Sequence, residues 1–468
     1  MTEAPAAERP ASSLLPMLVG VLLLPAALGS SWTIFNDGDV SWHIATGRWI
    51  LEHGRLPTTD PFSFTWVGKA WVPIEWLAEV LYASAYRLAG YAGVSAIVTA
   101  ALMALNGIVY FNARRWMPPL IAGVALLVVM DVVLIPMLLA RPHLLAWPLM
   151  ALWIWLMMRA REKDRAPPLP AALLITLWAN LHGSFVFGLA IAAAFGLEAL
   201  ISSDDRVRAF RQWLIFGLAC AVAVCINANG IEGALHPLTF TGLEMLPMIN
   251  EWKPSSVRVT PFYFVTLAIL LALLVWKRPR LHPVRWFLIA TFLAAALYQA
   301  RHQSMFIIVA AMIMPEGFAR GRDRPADSSR IPMLIAVAGA VLLVGVRLAM
   351  PLVPPENETN PWKLIASVPP ELRSQPVLND YSFGGPLILA GIRPFVDGRG
   401  DMYGDRFVLG YGEIIRGNHK AFDTAVSQWN IRWVIVPHRE RKFISMLRRT
   451  PGWRQIRQNE VGVVFARS

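Results

Sequence analysis

The sequence predicts an α-helical polytopic membrane protein of about eleven transmembrane helices that ends in a small α/β extracytoplasmic domain. Three observations carry this. Of the 468 residues, 56% are hydrophobic and only 16% are charged, and the mean hydropathy of +0.47 is above what a soluble domain of this size carries. Apolar runs such as Leu14 to Ile34 and Ile331 to Met350 reach the roughly 20 residues that span a hydrocarbon layer. Beyond about residue 353 the long runs give way to short alternating ones.

The elements follow in order. Residues 1–13 are rich in Pro and Ala and predict a disordered cytoplasmic tail. The run after them reads as a retained helix, because no basic region beyond Arg9 precedes it and no A-x-A-like site comes before Asn36. With that first span at about 14–34, further spans are predicted at about 90–112, 118–135, 142–158, 168–182, 184–201, 212–228, 260–276, 284–299, 303–318 and 331–350. The 168–201 stretch also admits a re-entrant element around Gly183, and Pro73 to Gly90 either extends the second span or lies on the membrane surface.

Loop charge sets the orientation. The cations gather at Arg114-Arg115, Arg159 to Arg165, Arg206 to Arg211, Lys277 to Arg285 and Arg320 to Arg330. An even number of predicted spans separates each group from the next, so all are cytoplasmic by the positive-inside rule. The net charge of +12 therefore reflects topology and does not point to nucleic acid. The transmembrane domain covers 14–352, with its first extracytoplasmic loop at 35–72, and residues 353–468 form the outer domain. In that domain 376–379, 394–397, 432–436 and 461–465 read as strands, and 421–429 and 440–449 as helices. Cys220 and Cys225, five apart in one span, point to different faces and suggest neither a disulfide nor a metal pair.

In this topology the unusual polar residues all fall outside. The first loop opens with Asp37, Asp39 and His43, Glu75 follows it, and later helix ends carry Arg141, His143, Asn180, His182, Asn227, Glu251, Arg301 and His302. Ionisable groups at a membrane boundary need water, partners or a task, so five helix ends gathering them on one face describe an outward-facing cavity. Asp39 stands where the N-cap of a helix over 40–53 belongs, which favours its ionised form and suits it to accept a proton. His43 lies one turn along the same face; the bland reading makes the pair a cap and its neighbour. Arg141 and Arg301 are cations on the side where cations are sparse, and with His143 and His302 they suit a lipid phosphate. For either arginine alone, snorkelling or a pair with Asp131 or Glu251 is the simpler account. Asn180, His182 and Asn227 equally read as helix-end caps and interhelical bonds, and the Trp42, Trp49, Trp66, Trp71 and Trp76 series as an interfacial belt. Asp397 to Asp405 reads as a polar turn. No phosphate-binding Gly-rich loop, HExxH, GxSxG or Cys/His metal spacing occurs.

Asp37-Gly38-Asp39 followed by Trp42-His43, Gly47, Gly54, Pro57 and Asp60 to Thr65 resembles bacterial polytopic glycosyltransferases of the GT-C class, related in architecture to the protein mannosyltransferases and aminoarabinose transferases. Arg141-Pro142-His143, Asn180 to Gly183, Glu251-Trp252, Asn379 to Tyr381 and Asp397 to Arg399 extend the resemblance over most of the chain. It implies a GT-C-like membrane domain in the bacterial inner membrane and a donor sugar on a polyprenyl phosphate. Asp37 or Asp39 would be the base for a glycan, lipid or protein acceptor, with inversion, and Arg301, His302 and Arg141 would stabilise the leaving phosphate. No cofactor is firmly implied: a divalent cation at the aspartates stays open, since two aspartates are not a complete ligand set. A transporter or flippase of lipid-linked saccharides and a noncatalytic envelope assembly protein are the competing classes. Internal repeats with midplane polarity would mark the first, and function without the aspartates the second.

Overall fold

The computed structural model describes residues 11–239, 242–246, 250–319 and 330–468. Most of the tail at 1–13 and of the loop at 320–330 falls outside them. Among the described residues, helices occupy every stretch read as a span. Tyr91–Ala113, His143–Glu162, Phe185–Ser202, Arg206–Val224 and Ile331–Ala349 are long and apolar enough to cross a membrane, and shorter apolar helices cover Leu14–Gly29, Ile121–Met137, Leu169–Leu181, Pro261–Lys277 and Pro283–Tyr298. Around Gly183 the chain breaks into two helices, Leu173–Leu181 and Phe185–Ser202. The helix Gln303–Gly317 is the axis of the bundle, buried at every residue but Glu316. Ile331–Ala349 is the opposite case, with 11% of its apolar window buried, so its leucines and valines face outward as a lipid-facing helix requires.

Two helices carry a π-helical turn, Leu18–Leu23 and Ile121–Leu126. They cross at Gly20 and Gly123, where a Cβ on Gly20 would collide with the Gly123 carbonyl. The Asn106 amide answers the local demand for hydrogen bonds, donating to the Gly20 carbonyl at 2.9 Å and to Asp131 Oδ2 at 2.8 Å.

The two ends of the bundle differ in chemistry. At the end away from the C-terminal domain, Arg285 donates to both oxygens of Glu198, at 2.8 and 2.9 Å, and to Glu316 at 2.5 Å. Arg161 reaches Glu198 at 3.5 Å. Four helices are thereby tied by two cations and two anions.

At the other end lie two helices outside the bundle, Asp39–His53 and Trp76–Ala89. They pack so closely that Gly47 sits on the carbonyl of Glu79 with no room for a Cβ. The first begins one residue earlier than expected and Asp39 is not its cap. Gly38 holds that position, and the Asp37 carboxylate accepts the Asp39 N–H at 2.9 Å.

The C-terminal domain is built on a sheet of order β1-β2-β4-β3, from β1 (Val377–Asn379), β2 (Trp433–Pro437), β3 (Trp453–Gln458) and β4 (Gly462–Arg467). β1 runs parallel to β2, and β2, β4 and β3 are antiparallel. β2 is buried throughout, as its Trp-Val-Ile-Val sequence requires. Two expectations are corrected. Residues 394–397 form no strand, because Asn379 takes the bonds a ladder would make, accepting the Phe395 N–H at 2.7 Å and donating to the Val396 carbonyl at 2.8 Å. The polar turn at 397–405 leads into a helix, Gly400–Ile415, kinked at Gly404 (φ 71°). Strand β3 was not foreseen. The domain docks on the first loop through a fully buried ion cluster: Arg399 donates to Asp60 at 2.7 Å and to Asp397 at 2.6 Å, and Tyr403 donates to Asp397 at 2.7 Å.

Candidate active site at the domain end of the bundle

A small cleft opens at this end, lined by Glu75, Arg141, His143, His182, Glu251 and Arg301 over an apolar floor that includes Met137, Trp147, Met150 and Trp178. A few convergent polar groups over apolar walls is the usual form of a ligand site. The groups come from separate elements: Glu75 from the end of the first loop, Arg141 and His143 from the start of His143–Glu162, and His182 from the break between two helices. Glu251 sits in a short 3₁₀ turn and Arg301 in another before the axial helix.

The two arginines are not equivalent. Arg141 faces three carboxylates, Glu251 at 3.1 Å, Asp37 at 3.3 Å and Asp39 at 3.4 Å. Arg301 lies over the Trp252 ring at 4.1 Å and, among the described residues, has no ion pair. Its charge is held in a partly desolvated cleft against an aromatic face, with Glu251 and Glu75 acting on it only from beyond ion-pair distance.

Electrostatics separates the carboxylates. Burial works to raise the pKa of Glu251, but Arg141 and Arg301 outweigh it and hold the group below its ordinary value. Burial and the neighbouring Asp37 charge push Asp39 up to about 7 against the pull of Arg141. Burial likewise pushes Glu75 up to about 7, although Arg141 and Arg301 oppose it. Two carboxyls thus stand where they exchange protons near neutrality. Among the described residues no three of His, Cys, Asp and Glu converge as a metal-binding group, and Asp37 and Asp39 are matched by the Arg141 guanidinium.

The expected site residues divide accordingly. Glu75, Arg141, His143, His182, Glu251 and Arg301 line the cleft, and Asp37 and Asp39 border it through Arg141. His43 is buried beneath, its Nδ1 3.3 Å from Glu79 and its Nε2 3.8 Å from Glu75. His143 Nε2 lies 2.9 Å from the Met137 carbonyl. Asn180 and Asn227 are structural: the first accepts from Trp76 Nε1 at 2.8 Å and donates to the Thr176 and Ile226 carbonyls, and the second folds the 227–230 turn onto itself. His302 is turned away, its Nδ1 3.3 Å from the Ala295 carbonyl and its ring against Phe187. Glu79 was missed. Its spacing of four from Glu75 put it on the same helix face, and that signal was available.

No family model and no curated protein matches the sequence. Solved structures do. The archaeal oligosaccharyltransferase AglB from Archaeoglobus fulgidus, in complex with an inhibitory peptide and a dolichol-phosphate, is similar at a TM-score of 0.58 and 12% identity, over 93% of this chain and 71% of that one. ArnT from Cupriavidus metallidurans, bound to undecaprenyl phosphate, is similar at 0.52 and 13%, over 97% and 96%. The fold is that of the GT-C class. An apo structure of the Archaeoglobus fulgidus oligosaccharyltransferase, at 0.52 and 11% over 90% and 69%, agrees. At these identities the GT-C likeness concerns the fold, and what the cleft does rests on its own residues.

Proposed function

We propose that this chain is a membrane glycosyltransferase of the bacterial inner membrane, moving a sugar from a polyprenyl-phosphate donor to an acceptor hydroxyl at the extracytoplasmic face. The observation that carries the reading is Arg301, a half-buried cation without an ion pair among the described residues, at the wall of a cleft with an apolar floor. A phosphate on an apolar chain supplies what it lacks: an anion for the guanidinium and a hydrocarbon for the floor. The GT-C fold supports the same reading, since two similar structures hold a dolichol-phosphate and undecaprenyl phosphate.

The chemistry follows from the charges. The donor phosphate lies against Arg301, and His302, turned away in the described geometry, would need to rotate to reach it. Arg141 is saturated by its three carboxylates and acts by orienting Asp37 and Asp39. Asp39 lifts the acceptor proton while the oxygen attacks the anomeric carbon, with inversion, and Arg301 stabilises the charge that builds on the departing phosphate. The aspartate acts as base in its ionised form, so the rate falls as pH drops through about 7.

The test uses the full chain in nanodiscs with a polyprenyl-phosphate-linked sugar and an extract of envelope acceptors. The double variant Asp37→Asn/Asp39→Asn should keep the donor bound and lose transfer. Unchanged turnover in that variant contradicts the proposal.

A further inference from the structure

Beneath the cleft runs a chain of titratable side chains that sugar transfer, as set out above, does not use. Glu79 is 1% exposed. Its Oε1 lies 3.3 Å from His43 Nδ1, while its Oε2 has no hydrogen-bond partner among the described residues. The other nitrogen of His43 is 3.8 Å from Glu75 Oε2. The second oxygen of Glu75 is 3.4 Å from His182 Nε2, and His182 Nδ1 is 2.7 Å from the Ser184 hydroxyl.

The bland account is that these groups fasten Asp39–His53 to Trp76–Ala89. It explains the burial poorly. Apolar side chains would join two such helices at lower cost, because a buried acid with one oxygen unsatisfied keeps its desolvation penalty. His43 also has a carboxyl group facing each ring nitrogen, hydrogen-bonded on the Glu79 side and 3.8 Å away on the Glu75 side, so that a proton entering at one side can leave at the other once the Glu75 gap closes or a water bridges it.

We propose that Glu79, His43 and Glu75 form a buried proton relay that opens on the cleft at Glu75 and takes up a proton when phosphate charge enters the cleft. The inference rests on the glycosyl-transfer reading of the same cleft. In that reaction the acceptor O–H bond breaks and its oxygen bonds to the anomeric carbon. The bond from that carbon to the phosphate oxygen breaks, with the electron pair going to the phosphate. The lipid product therefore carries one more negative charge than the donor until the acceptor's proton reaches it. That proton, lifted by Asp39, passes through solvent in the cleft to Glu75 and is held by the relay while the phosphate leaves, which returns Asp39 to its ionised form.

Physically, an anion placed beside Arg301 and near Glu75 favours the neutral carboxyl. The groups that face Glu75 are His43 and Asp39 from the first loop helix, Glu79 from the second, Arg141, His182, Arg301, and Asp401 from the outer domain. Burial has already pushed Glu75 up to about 7, so a modest added field moves it across neutrality.

The experiment is calorimetric titration of the full chain in nanodiscs with undecaprenyl phosphate at neutral pH, repeated in two buffers of different ionisation enthalpy. The wild type should take up roughly one proton per lipid bound. Glu79→Gln, near-isosteric and outside the cleft lining, should bind the lipid within a few-fold of wild type and lose at least half of that uptake. Retained binding shows that the variant is folded, and if Glu79→Gln does not bind, His43→Gln, also outside the cleft lining, decides. Uptake unchanged in the variant that binds overturns the relay and leaves the transferase reading standing. Failure of the wild type to bind undecaprenyl phosphate overturns that reading and the relay with it.

Discussion

The two ends of the helical bundle both bury charge, and they do so to opposite effect. At the end away from the sheet domain, Arg161, Glu198, Arg285 and Glu316 balance one another, with distances of 2.5 to 3.5 Å. At the domain end, Arg141 is shared among three carboxylates, Arg301 lies on an aromatic ring with no ion pair among the described residues, and Glu75 and Glu79 stand with histidines. A closed network holds a structure together. An open one has work for a ligand or a proton, and the difference, more than burial itself, separates scaffold from site.

The comparison can be broken at either end. Arg285→Ala leaves Glu198 and Glu316 buried without their main cation. It should cost about 3–5 kcal/mol, seen as a lowered unfolding midpoint of the detergent-solubilised chain, with lipid affinity of the folded fraction within a few-fold of wild type. Arg301→Gln should do the reverse. Loss of a charge-assisted bond of about 1.5–3 kcal/mol weakens undecaprenyl phosphate binding by roughly ten- to a hundred-fold, while the unfolding midpoint stays in place.

A smaller effect is expected at Arg141. Arg141→Gln removes a cation that opposes the rise of the Asp39 pKa, so the pH below which transfer fails should move upward by about one unit, as suits a change in one neighbouring charge. Measured pH–rate profiles of the two proteins would show it, and coincident profiles would place the base elsewhere.

The smallest is the pH dependence of stability. Glu75 has an ordinary value of 4.5 and is raised to about 7 in the folded protein. Between those values the folded state binds more protons than the unfolded, so stability falls as pH rises through that window. Glu75→Gln should flatten this slope in thermal melts from pH 5 to 7.

Much of this contrast was legible in the sequence, unevenly. Every apolar run read as a span is a helix, because an uninterrupted run that long has few other ways to satisfy its backbone. The gathering of Arg141, Arg301, Glu75, Glu251, His143 and His182 was legible as well, since loop charge put all of them on one side. Their pairing was not. Nothing local says that Arg141 meets Asp37 and Asp39 across 104 and 102 residues of chain while Arg301 meets a tryptophan. Strand β3 escaped because Trp-Arg-Gln-Ile-Arg-Gln reads as polar surface, which an exposed edge strand is. The helix Gly400–Ile415 escaped because its glycines and aspartates read as a turn.

The central claim is that Arg301 faces an open cleft that receives a lipid phosphate. It is tested most directly by titrating undecaprenyl phosphate into nanodiscs of wild type, Arg301→Gln and Arg285→Ala side by side. Saturable binding by the wild type and by folded Arg285→Ala, with a selective loss in Arg301→Gln, is the expected result. Equal affinity in wild type and Arg301→Gln contradicts it.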